Sequence, residues 1–320
     1  MLIAPSIASG YLVDFKKKGF NQPGSPLHED ISETFNGRKD LIRMFNLFRI
    51  KVGDRVFPNV VIGDDGWFFY TAEYSMEDYQ HVDRLTTKRL EMLRANLDAL
   101  NKKLLKKGTI LIVVIAPDKQ TIYPQYMPDE IPVFEGPSRL DQFVTYMQEK
   151  GETHVIDLRP VLKQASQTSQ VYYKTDTHWN KLGAYYAYQE ILSALSAYNS
   201  SIKARPLTDY KISYQNASFD VSRILGIDTV FKEEKVILKE ISPLKVEKKN
   251  APKILVYHDS FFGALKPLLK PHFRMSVVNY NKKGVKWNVS HTEQEKYDFV
   301  VIEVVERNFV LKLLSLFDSK

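Results

Sequence analysis

Apolar positions along the chain follow two alternating periods. Residues 55–70 hold two β-rich runs on either side of Gly63-Asp64-Asp65-Gly66, the pattern of a hairpin. Between residues 86 and 107, Leu90, Leu93, Leu97, Leu100 and Leu104 recur at steps of three and four. That single stripe predicts an amphipathic helix, which Gly108 ends. Residues 109–116 are a continuous run rich in β-branched side chains, as in a strand covered on both faces, and Pro117 closes it. A helix over about 138–150, a strand at 153–158 and a helix over about 181–197 follow. Residues 200–250 are polar, with short alternating runs at Tyr210–Tyr214 and Lys235–Leu238, and read as an excursion carrying a small β element. Beyond it come a strand at 253–257, a short helix at 261–270 and strands at 273–278 and 298–305. Strands alternating with helices predict an α/β domain with a largely parallel sheet covered on both faces. With no internal repeat and no flexible linker, residues 55–320 form one such domain, preceded by an arm over 1–54.

The arm begins with Met1–Val13, apolar and uncharged, followed by Lys16, Lys17 and Lys18. It lacks the basic leading region of a signal peptide. It reads either as the remnant of a membrane anchor or signal segment, or as an ordinary N-terminal strand. No window of the sequence reaches the roughly 18 apolar residues that span a bilayer. The proportions of apolar and charged residues in the 320-residue chain are those of globular proteins, which excludes collagen-like and wholly disordered classes. The absence of cysteine excludes a disulfide scaffold, a thiolate zinc site, an iron–sulfur cluster and a cysteine nucleophile. A net charge of +7 favours anionic partners. The lysines lie in short scattered groups, however, which describes a solvated surface and not a nucleic-acid footprint.

Two segments carry the candidate chemistry. Thr175-Asp176-Thr177-His178-Trp179-Asn180 precedes the third helix, and Tyr257-His258-Asp259-Ser260-Phe261-Phe262 lies where a buried strand turns into a helix. Both are expected at carboxyl ends of sheet strands, where open parallel sheets place their ligands. Serine becomes a nucleophile when a base takes its proton, and histidine does so when a carboxylate fixes its other ring nitrogen. Ser260 on a sharp turn is the candidate nucleophile, with its own N–H as an oxyanion donor. His178 is the candidate base, expected within hydrogen-bond reach of Ser260. Asp176, two positions away, can curl back onto the imidazole. Asp259 is read as a turn stabiliser, and His258 as a substrate contact or a turn residue. The two-histidine helical spacing of common zinc hydrolases is missing, so no metal site is expected.

The box Asp176-Thr177-His178-Trp179, continued by Asn180-Lys181-Leu182-Gly183-Ala184, resembles that of the DHHW/alginate O-acetyltransferase group of SGNH-type enzymes. So do the hairpin around Asp65-Gly66-Trp67-Phe68-Phe69-Tyr70 and the Pro117–Pro124 loop, and the resemblance runs from about residue 55 to 310. It implies an SGNH hydrolase-like three-layer fold, with circularly permuted motifs because the serine here follows the Asp-His box. It also implies a catalytic triad of Ser260, His178 and Asp176, with oxyanion donors near Arg307 or Asn308. His258 stands where the family's Gly-Asp-Ser motif has glycine, and Glu306-Arg307-Asn308 stands where ordinary SGNH enzymes have Gly-x-Asn.

The resemblance further implies an O-acetyltransferase working through an acetyl-serine, without metal or soluble cofactor. The donor would be a membrane-bound acyltransferase, the acceptor an exported or cell-wall polysaccharide, and the location extracytoplasmic. A carbohydrate acetyl esterase or a binding-only protein would carry the same residues. Tyr70, Tyr123, Trp67 and Trp179 are candidate sugar-stacking rings. Lys119, Lys282 and Lys283 follow predicted strands and are candidate rim cations for an acidic acceptor.

Overall fold

The continuous apolar runs become the middle of the molecule. The structure, a computed structural model, describes residues 37–242, 244, 249–280 and 287–317. Met1–Val13, Lys282 and Lys283 lie outside these residues. Helix α1 (Arg38–Lys51) leads into a three-stranded antiparallel sheet, β1 (Val56–Phe57), β2 (Val60–Ile62) and β3 (Phe68–Tyr70). The predicted hairpin is the β2–β3 pair, turned by Asp65 and Gly66 in left-handed conformation, with φ of 51° and 77°. Helices α2 (Ser75–Gln80) and α3 (Thr87–Leu105) precede β4 (Ile110–Ala116). Then come α4 (Lys119–Ile122), α5 (Arg139–Lys150), β5 (His154–Asp157), α6 (Arg159–Ser166) and α7 (Lys181–Ser196). The polar excursion is an antiparallel ribbon of β6 (Tyr210–Ala217) and β7 (Glu233–Glu240), with α8 (Asp220–Ile224) between its strands. The chain continues through β8 (Lys253–His258), α9 (Phe262–Leu269), β9 (Arg274–Asn279), β10 (Phe299–Val305) and α10 (Phe309–Ser315).

Five strands form one parallel sheet in the order β5-β4-β10-β8-β9. Successive side chains of a strand face opposite ways, so a strand covered on both faces must be apolar throughout. Ile112, Val114 and Ala116 of β4 pack with Val256 and Val301 against α6, α7 and α9. Leu111, Val113 and Ile115 pack with Leu255 and Val300 against α3, α5 and α10. The α3 stripe meets this second layer with Leu93 and Leu97 fully buried, each contributing roughly 2 kcal/mol of apolar burial. The fold is therefore the expected three-layer α/β/α domain.

Strand order decides where a site forms. From β4 the chain crosses to β5 on one side, and from β8 to β9 on the other, with β10 between them. A crevice opens at the carboxyl ends of strands where the winding reverses. The segments after β4, β8 and β10 all emerge there. Among the described residues, no helix is long and apolar enough to cross a membrane.

Candidate active site

At the end of β8 the chain turns through Asp259-Ser260-Phe261 into α9. Asp259 builds the turn. Its buried carboxylate accepts from the N–H of Phe261 (3.0 Å) and of Val305 at the end of β10 (2.9 Å), and from Lys312 Nζ (3.0 Å). His258 is buried, with Nδ1 2.8 Å from the Asp259 carbonyl and its ring 4.6 Å from that of Phe262, so it is a turn residue. Ser260 is left exposed. Neither its hydroxyl nor its N–H bonds to a described residue, and both lie at the amino end of a helix, where negative charge is favoured.

The Asp-Thr-His-Trp box does not follow a sheet strand, contrary to expectation. Helix α6 and residues 167–174 intervene after β5, and the box reaches the carboxyl edge because three remote segments hold its backbone. Lys119 Nζ donates to the carbonyls of Tyr173 (3.1 Å), Lys174 (2.8 Å) and Asp176 (2.7 Å). The Glu233 carboxylate accepts from the N–H of Lys174 (2.9 Å), the N–H of Thr175 (2.7 Å) and Thr175 Oγ1 (2.7 Å). Asp220 accepts from Thr177 N–H (2.8 Å) and Thr177 Oγ1 (2.6 Å). Trp179, buried, donates Nε1–H to the Phe261 carbonyl at 3.1 Å and so ties the box to the serine turn. Asn180 caps α7 through the N–H groups of Leu182 and Gly183. Gly183 is required there, because a Cβ would lie 2.3 Å from the Val171 carbonyl oxygen.

These restraints fix the dyad. His178 Nδ1 lies 2.6 Å from Asp176 Oδ1, and the same oxygen accepts the His178 backbone N–H at 2.8 Å. Asp220 Oδ2 is 3.5 Å from Nδ1. Asp176, His178 and Asp220 bring three ligand atoms together, but the 2.6 Å contact is a direct hydrogen bond, shorter than the gap between two ligands each about 2.0–2.2 Å from a shared ion. Burial pushes the imidazole pKa down. The hydrogen bond and charge of Asp176, with the charge of Asp220, outweigh it and hold the pKa above its usual value. Burial likewise pushes Asp176 up, and its bonds and attraction to His178 outweigh that and hold the carboxyl low. On the far side of the ring, Nε2 is buried without a partner among the described residues. His178 and Ser260 line one cavity of about 510 Å³. The expected hydrogen bond between them is not formed. Such bonds commonly tighten only when substrate is bound.

Arg307 and Asn308 also line this cavity. The Arg307 N–H is taken by Asp118 Oδ2 (3.1 Å), which removes the backbone as an oxyanion donor. Its guanidinium is held by Asp118 through Nη1 and by Glu73 through Nε (3.2 Å), and Nη2 has no partner among the described residues. Asn308 Nδ2 donates to Glu73 at 2.9 Å.

Of the expected stacking rings, Tyr70 alone lines the cavity. Tyr123 is buried, its hydroxyl accepting from Val171 N–H, and Trp67 and Trp179 are core. Lys119 is likewise not a rim cation: it is 2% exposed, with all three N–H groups engaged by carbonyls. Asp220, Glu233 and Glu73 went unread in the sequence. They sit in polar segments without periodicity, and only their contacts identify them.

A parallel three-layer sheet with a serine after one strand and an Asp-His dyad on a neighbouring loop defines an SGNH-type domain. A family profile described as "SGNH hydrolase-like domain, acetyltransferase AlgX" matches residues 60–290, and the chain belongs to that family of O-acetyltransferase-type domains. The probable alginate O-acetylase AlgJ of Pseudomonas syringae pv. tomato is 26% identical over 250 residues, covering 71% of this chain and 61% of that protein. The AlgJ of Pseudomonas putida is also 26% identical, with 62% of its length covered, so the match spans about three fifths of these relatives. Among solved structures, the O-acetyltransferase domain of P. putida AlgJ has a TM-score of 0.53 at 20% identity, covering 80% of this chain and 94% of that one. Bacillus cereus PatB1 with a sulfonyl adduct has a TM-score of 0.59 at 15% identity, covering 78% and 94%. A DHHW family protein from Eubacterium siraeum has a TM-score of 0.58 at 14% identity, covering 83% and 99%. These likenesses concern the fold.

Proposed function

We propose that the protein transfers acetyl groups through an acetyl-serine to hydroxyls of a polysaccharide outside the cytoplasm. Ser260 Oγ attacks the donor carbonyl while His178 Nε2 takes its proton. Asp176 holds Nδ1–H and stabilises the imidazolium. The oxyanion is met by the Ser260 N–H and the Arg307 guanidinium. As the tetrahedral intermediate collapses, the bond to the leaving group breaks and His178 returns the proton to it. A sugar hydroxyl then gives its proton to His178 and attacks the acetyl-serine; as this second intermediate collapses, the ester bond to Ser260 Oγ breaks and His178 returns the proton to Oγ. No step requires a metal or soluble cofactor. A membrane-bound acyltransferase is the donor partner in this reading.

The observation that carries the proposal is the buried, partnerless Nε2 of His178 sharing a cavity with the exposed Ser260, while Asp176 locks Nδ1. The experiment is mass spectrometry after exposure to an activated acetyl ester, with a sulfonyl fluoride as a second probe. The wild type should gain one acetyl group on Ser260. Ser260→Ala should gain none, and His178→Ala should react at least a hundredfold more slowly, since triad members contribute orders of magnitude. Labelling of Ser260→Ala at the wild-type rate would refute the assignment.

A further inference from the structure

The chain carries a net charge of +7, yet the cavity does not. Three carboxylates line it: Glu73, half exposed; Asp220, about a third exposed; and Asp259 in its floor. Its cations are already neutralised. Arg307 lies between Asp118 and Glu73, and Lys312 is 3.0 Å from Asp259 Oδ2 with its ammonium 4.6 Å from the centre of the Tyr280 ring. Among the described residues, a carboxylate arriving on a sugar would find no cation without an acidic partner and would meet Glu73 and Asp220.

The mouth offers something else. Tyr74 and Tyr280 are 43% and 39% exposed and line the cavity, beside the similarly exposed Ile224 and Leu311. Flat apolar surface beside carboxylate acceptors matches the two sides of a neutral pyranose, its C–H face and its hydroxyls. Glu73 and Tyr74 also hold left-handed backbone, with φ of 59° and 68°, although neither is glycine. Arg307 and Asn308 bind the Glu73 carboxylate, and the Arg139 guanidinium lies 5.0 Å from the Tyr74 ring. Strain of this kind persists where a site needs the geometry it gives.

We infer that the acceptor bound here is an uncharged saccharide and not a uronate. This rests on the acetyl-transfer reading above. The test forms the acetyl-enzyme with an activated acetyl ester, then measures its discharge by neutral cello- and chito-oligosaccharides and by oligouronates of equal length, at low and high salt. Neutral acceptors should act roughly tenfold faster than uronates at low salt, the penalty of like charges about 10 Å apart near a protein surface. Salt should narrow that gap by raising the uronate rate, because screening shortens to about 3 Å at 1 M. Glu73→Gln should raise the ratio of uronate to neutral discharge several-fold. Faster discharge by uronates, slowing as salt rises, would overturn this inference and leave the acetyl-serine reading standing. An acetyl-enzyme that only water discharges would overturn it as well. Failure to form any acetyl-enzyme would remove the reading itself and the inference with it.

Discussion

Replacing Lys119 with methionine keeps a long apolar stem and removes the ammonium that holds the catalytic loop. Three hydrogen bonds are lost, to the carbonyls of Tyr173, Lys174 and Asp176, at 3.1, 2.8 and 2.7 Å. A bond from a charged donor contributes about 1.5–3 kcal/mol, so the three together are worth about 4–9 kcal/mol. Against this, burial lowers the Lys119 pKa from 10.5 to about 8, equivalent to about 3 kcal/mol against the charged form. The difference, about 1–6 kcal/mol, leaves Lys119→Met less stable by about 3 kcal/mol at the middle of that range. For a domain of this size that lowers Tm by roughly 6–12 °C. The larger consequence is kinetic. Asp176 and His178 lose a fixed support, and a misplacement of about 1 Å costs on the order of a hundredfold in rate. Initial rates with an activated acetyl ester should show kcat reduced about 10- to 100-fold and KM nearly unchanged, because Lys119 does not line the cavity. Circular dichroism establishes that the variant is folded. A folded variant with kcat within twofold of wild type would refute the positioning role, and a raised KM at unchanged kcat would return Lys119 to the substrate.

Turnover of an uncharged ester should rise with pH through a midpoint above 6.5, because His178 must lose its proton to act and Asp176 and Asp220 hold it on. Asp176→Asn should move that midpoint down and cut turnover by orders of magnitude, and a midpoint unchanged in the pH–rate profile would contradict the dyad. The same raised pKa contributes stability that is complete below the unfolded value of 6.5 and is lost as pH rises through the folded value. The difference in Tm between wild type and His178→Ala should shrink over that window. Glu233→Gln turns an amide N–H₂ toward a backbone N–H of the catalytic loop, and should lose about 2–3 kcal/mol in urea denaturation, with kcat falling more than KM changes. An unchanged denaturation midpoint would show that Glu233 does not hold the loop.

The sheet was legible because strands buried on both faces leave no choice of side chain, as β4, β8 and β10 show. Ser260, His178 and Asp176 could be picked out as candidates because their residue types are meaningful together at a strand-to-helix turn and before a helix. Lys119 was not, because a lysine after a strand is ordinarily solvated, and only the path of the 173–176 loop supplies the carbonyls that bury it. Net charge says little about the cavity for a similar reason. It sums over the whole surface, whereas the cavity pairs Arg307 and Lys312 locally with Asp118, Glu73 and Asp259. Helix α1 went unread although Leu41, Met44, Phe45 and Phe48 recur at steps of three and one, as on one helix face; in the structure these side chains stay exposed and none of its residues is buried.

The position of β10 governs the order in which the molecule can be completed. This last strand pairs with β4 along Phe299–Val305 and with β8 along Phe299–Ile302. Until it emerges from the ribosome, the sheet can exist only as two separate pairs, β5–β4 and β8–β9, each with a bare apolar edge open to other chains. Asp118 stands at the end of one pair and Ser260 at the end of the other. The insertion that joins them also delivers Arg307, from more than two hundred residues beyond its partner Glu73. Pairings so distant in sequence form slowly. A nascent chain stopped short of residue 299 therefore carries Ser260 but no crevice for it to face.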